Sequence, residues 1–111
     1  MIPNVKLYVD ETVLPCCRTG LIAALPGLRT MLCDTLRVDG AACQFAILSV
    51  IAMPDLPRVN VEMHLLPHPD RTRDMLKSLA AEMQSLIAAV TGTHTAVRIA
   101  TLVPDAYVAL K

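Results

Sequence analysis

A strand pattern that occurs twice constrains this chain more than any other feature. Asn4-Val5-Lys6-Leu7-Tyr8-Val9 alternates polar and apolar residues with a period of two, and Asn60-Val61-Glu62-Met63-His64-Leu65 repeats the pattern from the same Asn-Val start. That period describes a strand with one buried face. A turn bearing proline follows each, then a helical pattern, then a second apolar run. In the second half, Met75, Leu79, Met83, Leu86 and Val90 recur at helical spacing, with Pro69 and Asp70 expected to open the helix and Thr91-Gly92 to close it. In the first half, Leu21, Leu25, Leu28, Leu32 and Leu36 keep the same period, and Pro26-Gly27 predicts a kink or break between them.

Residues 42–53 and 95–103 read as the closing strands. Asp10-Glu11 is expected to cap the first helix, and Pro54-Asp55-Leu56-Pro57 joins the halves too tightly for a flexible linker. The expected fold is α/β, an α+β two-layer sandwich of two β-α-β repeats. It forms one domain over 1–111, with pseudo-repeats 1–56 and 57–111. Each helix crosses over so that its strands run parallel. Both helices then cover one face of a four-stranded sheet, and the other face needs cover from outside the chain. An alternative, a ferredoxin-like ligand-binding module, would have an antiparallel sheet.

Composition narrows the function classes. Hydrophobic residues make up 54% of 111 residues, which is rich for so small a chain and favours burial between copies. Ten basic and ten acidic side chains cancel, so nothing electrostatic supports nucleic-acid binding. The longest apolar run, Cys43 to Met53, is far short of a bilayer span, so no membrane partner is expected. The start shows no secretory leader pattern, which points to the cytoplasm and to reduced, mostly buried cysteines at 16, 17, 33 and 43. His64, His68 and His94 match no compact ligand set, so no metal is expected. No phosphate loop, dinucleotide fingerprint or nucleophile elbow occurs, and no cofactor is expected.

Three segments carry a family resemblance: Pro3 immediately before the first strand; Val61 to Leu66 with Arg71-Thr72 beyond; and Thr95-Ala96-Val97-Arg98-Ile99. In this order they resemble the tautomerase superfamily, of the 4-oxalocrotonate tautomerase, 5-carboxymethyl-2-hydroxymuconate isomerase and macrophage migration inhibitory factor types. The resemblance implies a homotrimer in which an amino-terminal proline acts as general base on a small enolisable keto acid or dienol. It makes Pro3 the candidate base, and Arg71 and Arg98 the candidate carboxylate binders across subunit boundaries. Aligning the two halves sets Gln44 opposite Arg98, Arg18 opposite Arg71 and Val59 opposite Pro3, so only one proline site is expected. Gln44 and, near the carboxyl end, Tyr107 join the candidate substrate contacts. Arg98 lies between Val97 and Ile99, where a buried arginine would need a partner.

One departure from the family pattern bears on mechanism. Met1-Ile2 precedes Pro3, and isoleucine in second place does not favour methionine removal. Acylated by Ile2, the Pro3 nitrogen is an amide without a basic lone pair. The second function carried forward is therefore a non-catalytic binding or structural trimer of the same fold.

Overall fold

The computed structural model describes residues 3–111. Its elements are β1 (Asn4–Asp10), α1 (Leu14–Leu36), β2 (Gln44–Val50), β3 (Val59–Leu65), α2 (Arg73–Thr91) and β4 (Thr95–Thr101), with short 3-10 turns at Gly40–Ala42 and Pro104–Ala106. The sheet order is β2-β1-β3-β4. β1 runs parallel to β2, and β3 parallel to β4, as two β-α-β units require. An antiparallel β1–β3 pair joins the units at the centre, with Asn4 opposite His64 and Val9 opposite Val59. The two parallel pairs exclude the antiparallel ferredoxin-like alternative.

Strand alternation decides which face the helices cover. Val5, Leu7 and Val9 of β1 and Val59, Val61, Met63 and Leu65 of β3 are buried, and the helices contribute Leu21, Leu28, Leu32, Leu79, Met83 and Ile87 to the same core. The intervening residues Asn4, Lys6, Tyr8, Asn60, Glu62 and His64 form the opposite face, which no helix covers. No helix among the described residues is long and apolar enough to cross a membrane.

Several boundaries depart from the sequence reading. α1 begins at Leu14 and runs through Pro26 without a break. Proline deprives the Ile22 carbonyl of its helical donor, but Ile22 and Pro26 are both exposed, so water can replace that bond. Buried side chains on both sides of the proline, Leu21 before it and Leu28 after it, hold the two segments in line. α2 begins at Arg73, later than expected. Pro69 and Asp70 belong to a preceding turn, and the Thr72 hydroxyl accepts the Met75 N–H as the helix cap. The stop at Gly92 is as expected: φ is +70° there, and its N–H donates to the Ala88 carbonyl. The closing strands are shorter than their apolar runs and lie at the two sheet edges.

Asp10 does not cap α1. It is 3% exposed, and its carboxylate accepts hydrogen bonds from the backbone N–H groups of Thr12 (3.0 Å) and Ala52 (2.8 Å), and from the Thr12 hydroxyl. Arg58 lies 3.3 Å from it and also donates to the Thr12 hydroxyl at 2.9 Å. This lock ties the end of β1 to the exit of β2 and the entrance of β3. The Thr12 hydroxyl, the Ala52 amide and the Arg58 charge favour the ionised carboxylate and hold its pKa at about 2, against 3.8 in isolation. Because the folded value is depressed, the stabilisation is complete above pH about 4 and is lost as pH falls toward 2. Asp10→Asn should therefore lower the melting temperature at pH 7 and remove much of the fall in stability between pH 4 and 2. Thermal melts of both proteins across that range check this.

Candidate functional site

β1 and β3 run in opposite directions, so the start of one lies beside the end of the other. Asn4 faces His64, and the register carried one residue further sets Pro3 opposite Leu65. Pro3 is buried, and its carbonyl accepts the Gln44 N–H at 3.0 Å. Just past Leu65, the Leu66 carbonyl accepts a hydrogen bond from Arg71 Nη1 at 2.7 Å. That single contact fixes the half-buried Arg71 at the sheet end that carries Pro3. The Arg71 N–H also donates to the His68 carbonyl, closing the turn that presents it.

A cavity of about 680 Å³ opens beside Arg71, and Pro3 lies outside its wall. The end of α1 supplies Thr35 to Val38, and the turn before α2 supplies Pro67 to Thr72. Arg37 reaches the rim from a left-handed conformation, φ +56°, at the end of α1. Two guanidinium groups, the Thr72 hydroxyl and the His68 imidazole suit the cavity to a small anion with an apolar body, for which Met75 and Leu36 supply contact. Asp70 also lines the cavity, with its carboxylate 3.6 Å from His68 Nδ1, and its N–H donates to that nitrogen at 3.1 Å. The sequence reading did not single out Arg37, His68 or Thr72 for this cavity. Only the Thr72-Arg73-Asp74 cap pattern gave a local signal.

The remaining candidates lie elsewhere. Arg98 is exposed on the uncovered face, not buried among apolar neighbours as its strand context suggested. It stands beside Glu62, which faces Lys6, and its Nη1 donates to Asn60 Oδ1 at 3.0 Å, farther still from Pro3. Three residues of strand separate Lys6 from Pro3, about 10 Å at the usual rise, and two strand spacings add a lateral offset of similar size. Within one chain Arg98 and Pro3 do not share a site. Gln44 lies at the Pro3 end, exposed on the same uncovered face. Tyr107 follows the last 3-10 turn, partly exposed and outside the cavity wall.

The sheet registers also correct the internal alignment. Asn4 faces Gln44 as Asn60 faces Ala96, so Ala46, not Gln44, is the counterpart of Arg98. Likewise Arg71 immediately precedes the cap residue Thr72, as Thr12 precedes Val13, so Arg18 is not its counterpart.

Cys43 borders the Pro3 corner and is buried. Burial first, and then a hydrogen bond with the Cys33 thiol, push its pKa up to about 12, while burial also raises that of Cys17. Cys16 is exposed at the start of α1. Among the described residues, no cluster of three metal-ligating side chains occurs.

No family model and no curated protein matches this sequence. Solved structures do match, over nearly the whole chain. A macrophage migration inhibitory factor-like protein from Entamoeba histolytica superposes with a TM-score of 0.71 at 5% identity, covering 98% of this chain and 96% of that one. A fused 4-OT described as a symmetric trimer gives 0.68 at 14% identity, over 89% of this chain and 85% of that one. This chain has the tautomerase-superfamily fold. A member of the cis-3-chloroacrylic acid dehalogenase family, at 0.65 and 18% identity over 89% and 74% of the two chains, shares it. At these identities the likeness establishes the tautomerase fold and leaves chemistry to the residues.

The exposures predict how the thiols react. Under native conditions a neutral-pH thiol reagent should modify Cys16 rapidly and spare Cys17, Cys33 and Cys43 until the chain unfolds. Mass spectrometry of the labelled protein with and without denaturant reads this directly.

Proposed function

We propose that this protein binds a small carboxylate at the Pro3–Arg71 corner and tautomerises an enolisable keto acid there when the Pro3 nitrogen is a free amine. The observation that carries the reading is the Arg71–Leu66 hydrogen bond, which holds a guanidinium at the sheet end bearing Pro3. The cavity beside it gives the ligand room. The tautomerase fold supports the same class of reaction.

In this reading Arg71 grips the carboxylate and steadies the enolate charge. A neutral Pro3 amine takes a proton from one end of the enol system and returns it to the other, so the reaction needs no redox partner. Burial of Pro3 suits such a base, because desolvation lowers an amine's pKa. Arg98, too far from Pro3 in its own chain, would serve the proline of a neighbouring copy, with Gln44 and Tyr107 lining the shared boundary. Trimerisation follows from the same reading. It would cover the open sheet face and the exposed Leu48, Ile51 and Met53. Four free cysteines fit a cytoplasmic setting.

The Ile2–Pro3 peptide bond favours a second reading. An amide nitrogen cannot act as the base, and the same corner would then bind a carboxylate without turnover. Intact mass of the purified protein, paired with a phenylenolpyruvate tautomerase assay, separates the two. A chain beginning at Pro3 should show activity, and Arg71→Ala should weaken substrate binding by about tenfold. A chain retaining Ile2 should bind phenylpyruvate without converting it, and still lose affinity in Arg71→Ala. Unchanged affinity in Arg71→Ala would sink both readings.

Sedimentation tests the assembly separately. A trimer at micromolar concentration is expected, and a monomer would remove Arg98 and Tyr107 from the site.

A further inference from the structure

Arg71 lines a second cavity on its other side. This one, of about 430 Å³, is walled by Arg71, Arg73 and Lys77 with Leu76, Ala80, Ile99 and Thr101. It contains three cations and a hydroxyl but no carboxylate, although the chain as a whole is neutral. Arg73, Leu76, Lys77 and Ala80 recur at steps of three and four, so one face of α2 presents them all toward β4, where Ile99 and Thr101 complete the wall.

The arrangement is unfavourable for the helix alone. Arg73 and Lys77 are like charges one turn apart, and both lie in the first turns of α2, where the helix dipole disfavours cations. Asp74 is close in sequence, yet the ion pairs among the described residues are only Arg58–Asp10 and His68–Asp70. Among the described residues, no ion pair neutralises this wall.

We infer that Arg71, Arg73 and Lys77 form a binding site for a phosphate group, either free phosphate or the phosphate of a small monoester whose organic part rests on Leu76, Ala80 and Ile99. A tetrahedral dianion can accept from several cations at once, which a planar monocarboxylate does less well. The volume admits a small organic phosphate. The inference shares Arg71 with the carboxylate reading but stands on Arg73 and Lys77, which lie outside the first cavity.

The test is calorimetric titration of the full chain with inorganic phosphate, phenyl phosphate and benzoate at constant ionic strength. Phosphate binding should weaken by about tenfold in Arg73→Gln and further in the double variant Arg73→Gln/Lys77→Gln. Benzoate binding at the neighbouring corner should hold in both. Tighter binding of phenyl phosphate than of phosphate would assign the site to a monoester, and equal binding to the free anion. Phosphate affinity unchanged in the double variant, or no phosphate binding by the native chain, would overturn the inference and leave the carboxylate reading standing. Glutamine keeps the helix propensity and removes a repulsion, so circular dichroism melts should show the variants no less stable than the native chain.

Discussion

The antiparallel contact between β1 and β3 is the constraint on which the rest of the molecule depends. Each β-α-β unit alone would be a two-stranded parallel ribbon with one helix, too small to bury its apolar face. Joined through β1 and β3, the units pool Val5, Leu7, Val9, Val59, Val61 and Met63 into one floor under two helices. Because the joined strands run in opposite directions, the beginning of one unit meets the end of the other. The candidate site is a product of that geometry, since residues from both units meet at one corner.

The corner also shows how local bonds give a distant residue its place. Arg71 is far from Pro3 in sequence, and the turn closed by its N–H on the His68 carbonyl sets its backbone without fixing its guanidinium. The Leu66 carbonyl fixes the guanidinium, because the strand has ended and that oxygen no longer has a ladder partner. An arginine donor meets a strand-end acceptor, and Arg71 lines the cavity beside it.

Much of the fold was legible in the sequence because burial writes a period into it. The repeated Asn-Val alternation marked β1 and β3 to within a residue, and the leucine and methionine spacing marked both helices. Boundaries were less legible. Pro26 reads as a breaker only if its missing hydrogen bond is unaffordable, and exposure of that turn is a tertiary fact. Asp10 carries the same cap signal whether it faces its own helix or Arg58 from the other unit. Of the residues at the candidate corner, the sequence singled out Pro3 and Arg71, which the fold brings to one end of the sheet. It did not single out Arg37 and His68, because their relevance comes from two chain segments meeting. Arg98 was misjudged as buried because an arginine flanked by Val97 and Ile99 sits on the opposite face from both.

The doubled architecture has a counterpart to the Arg71 corner, at the end of β1 where α1 begins. There Arg58, brought by the other unit, already holds a carboxylate, that of Asp10. The molecule thus pairs an arginine with a built-in carboxylate at one of its two related corners and with a backbone carbonyl at the other. Two ancestral-looking halves therefore do not make two equivalent receptors. The first half closes its arginine on a carboxylate of its own, whereas the second leaves Arg71 lining an open cavity.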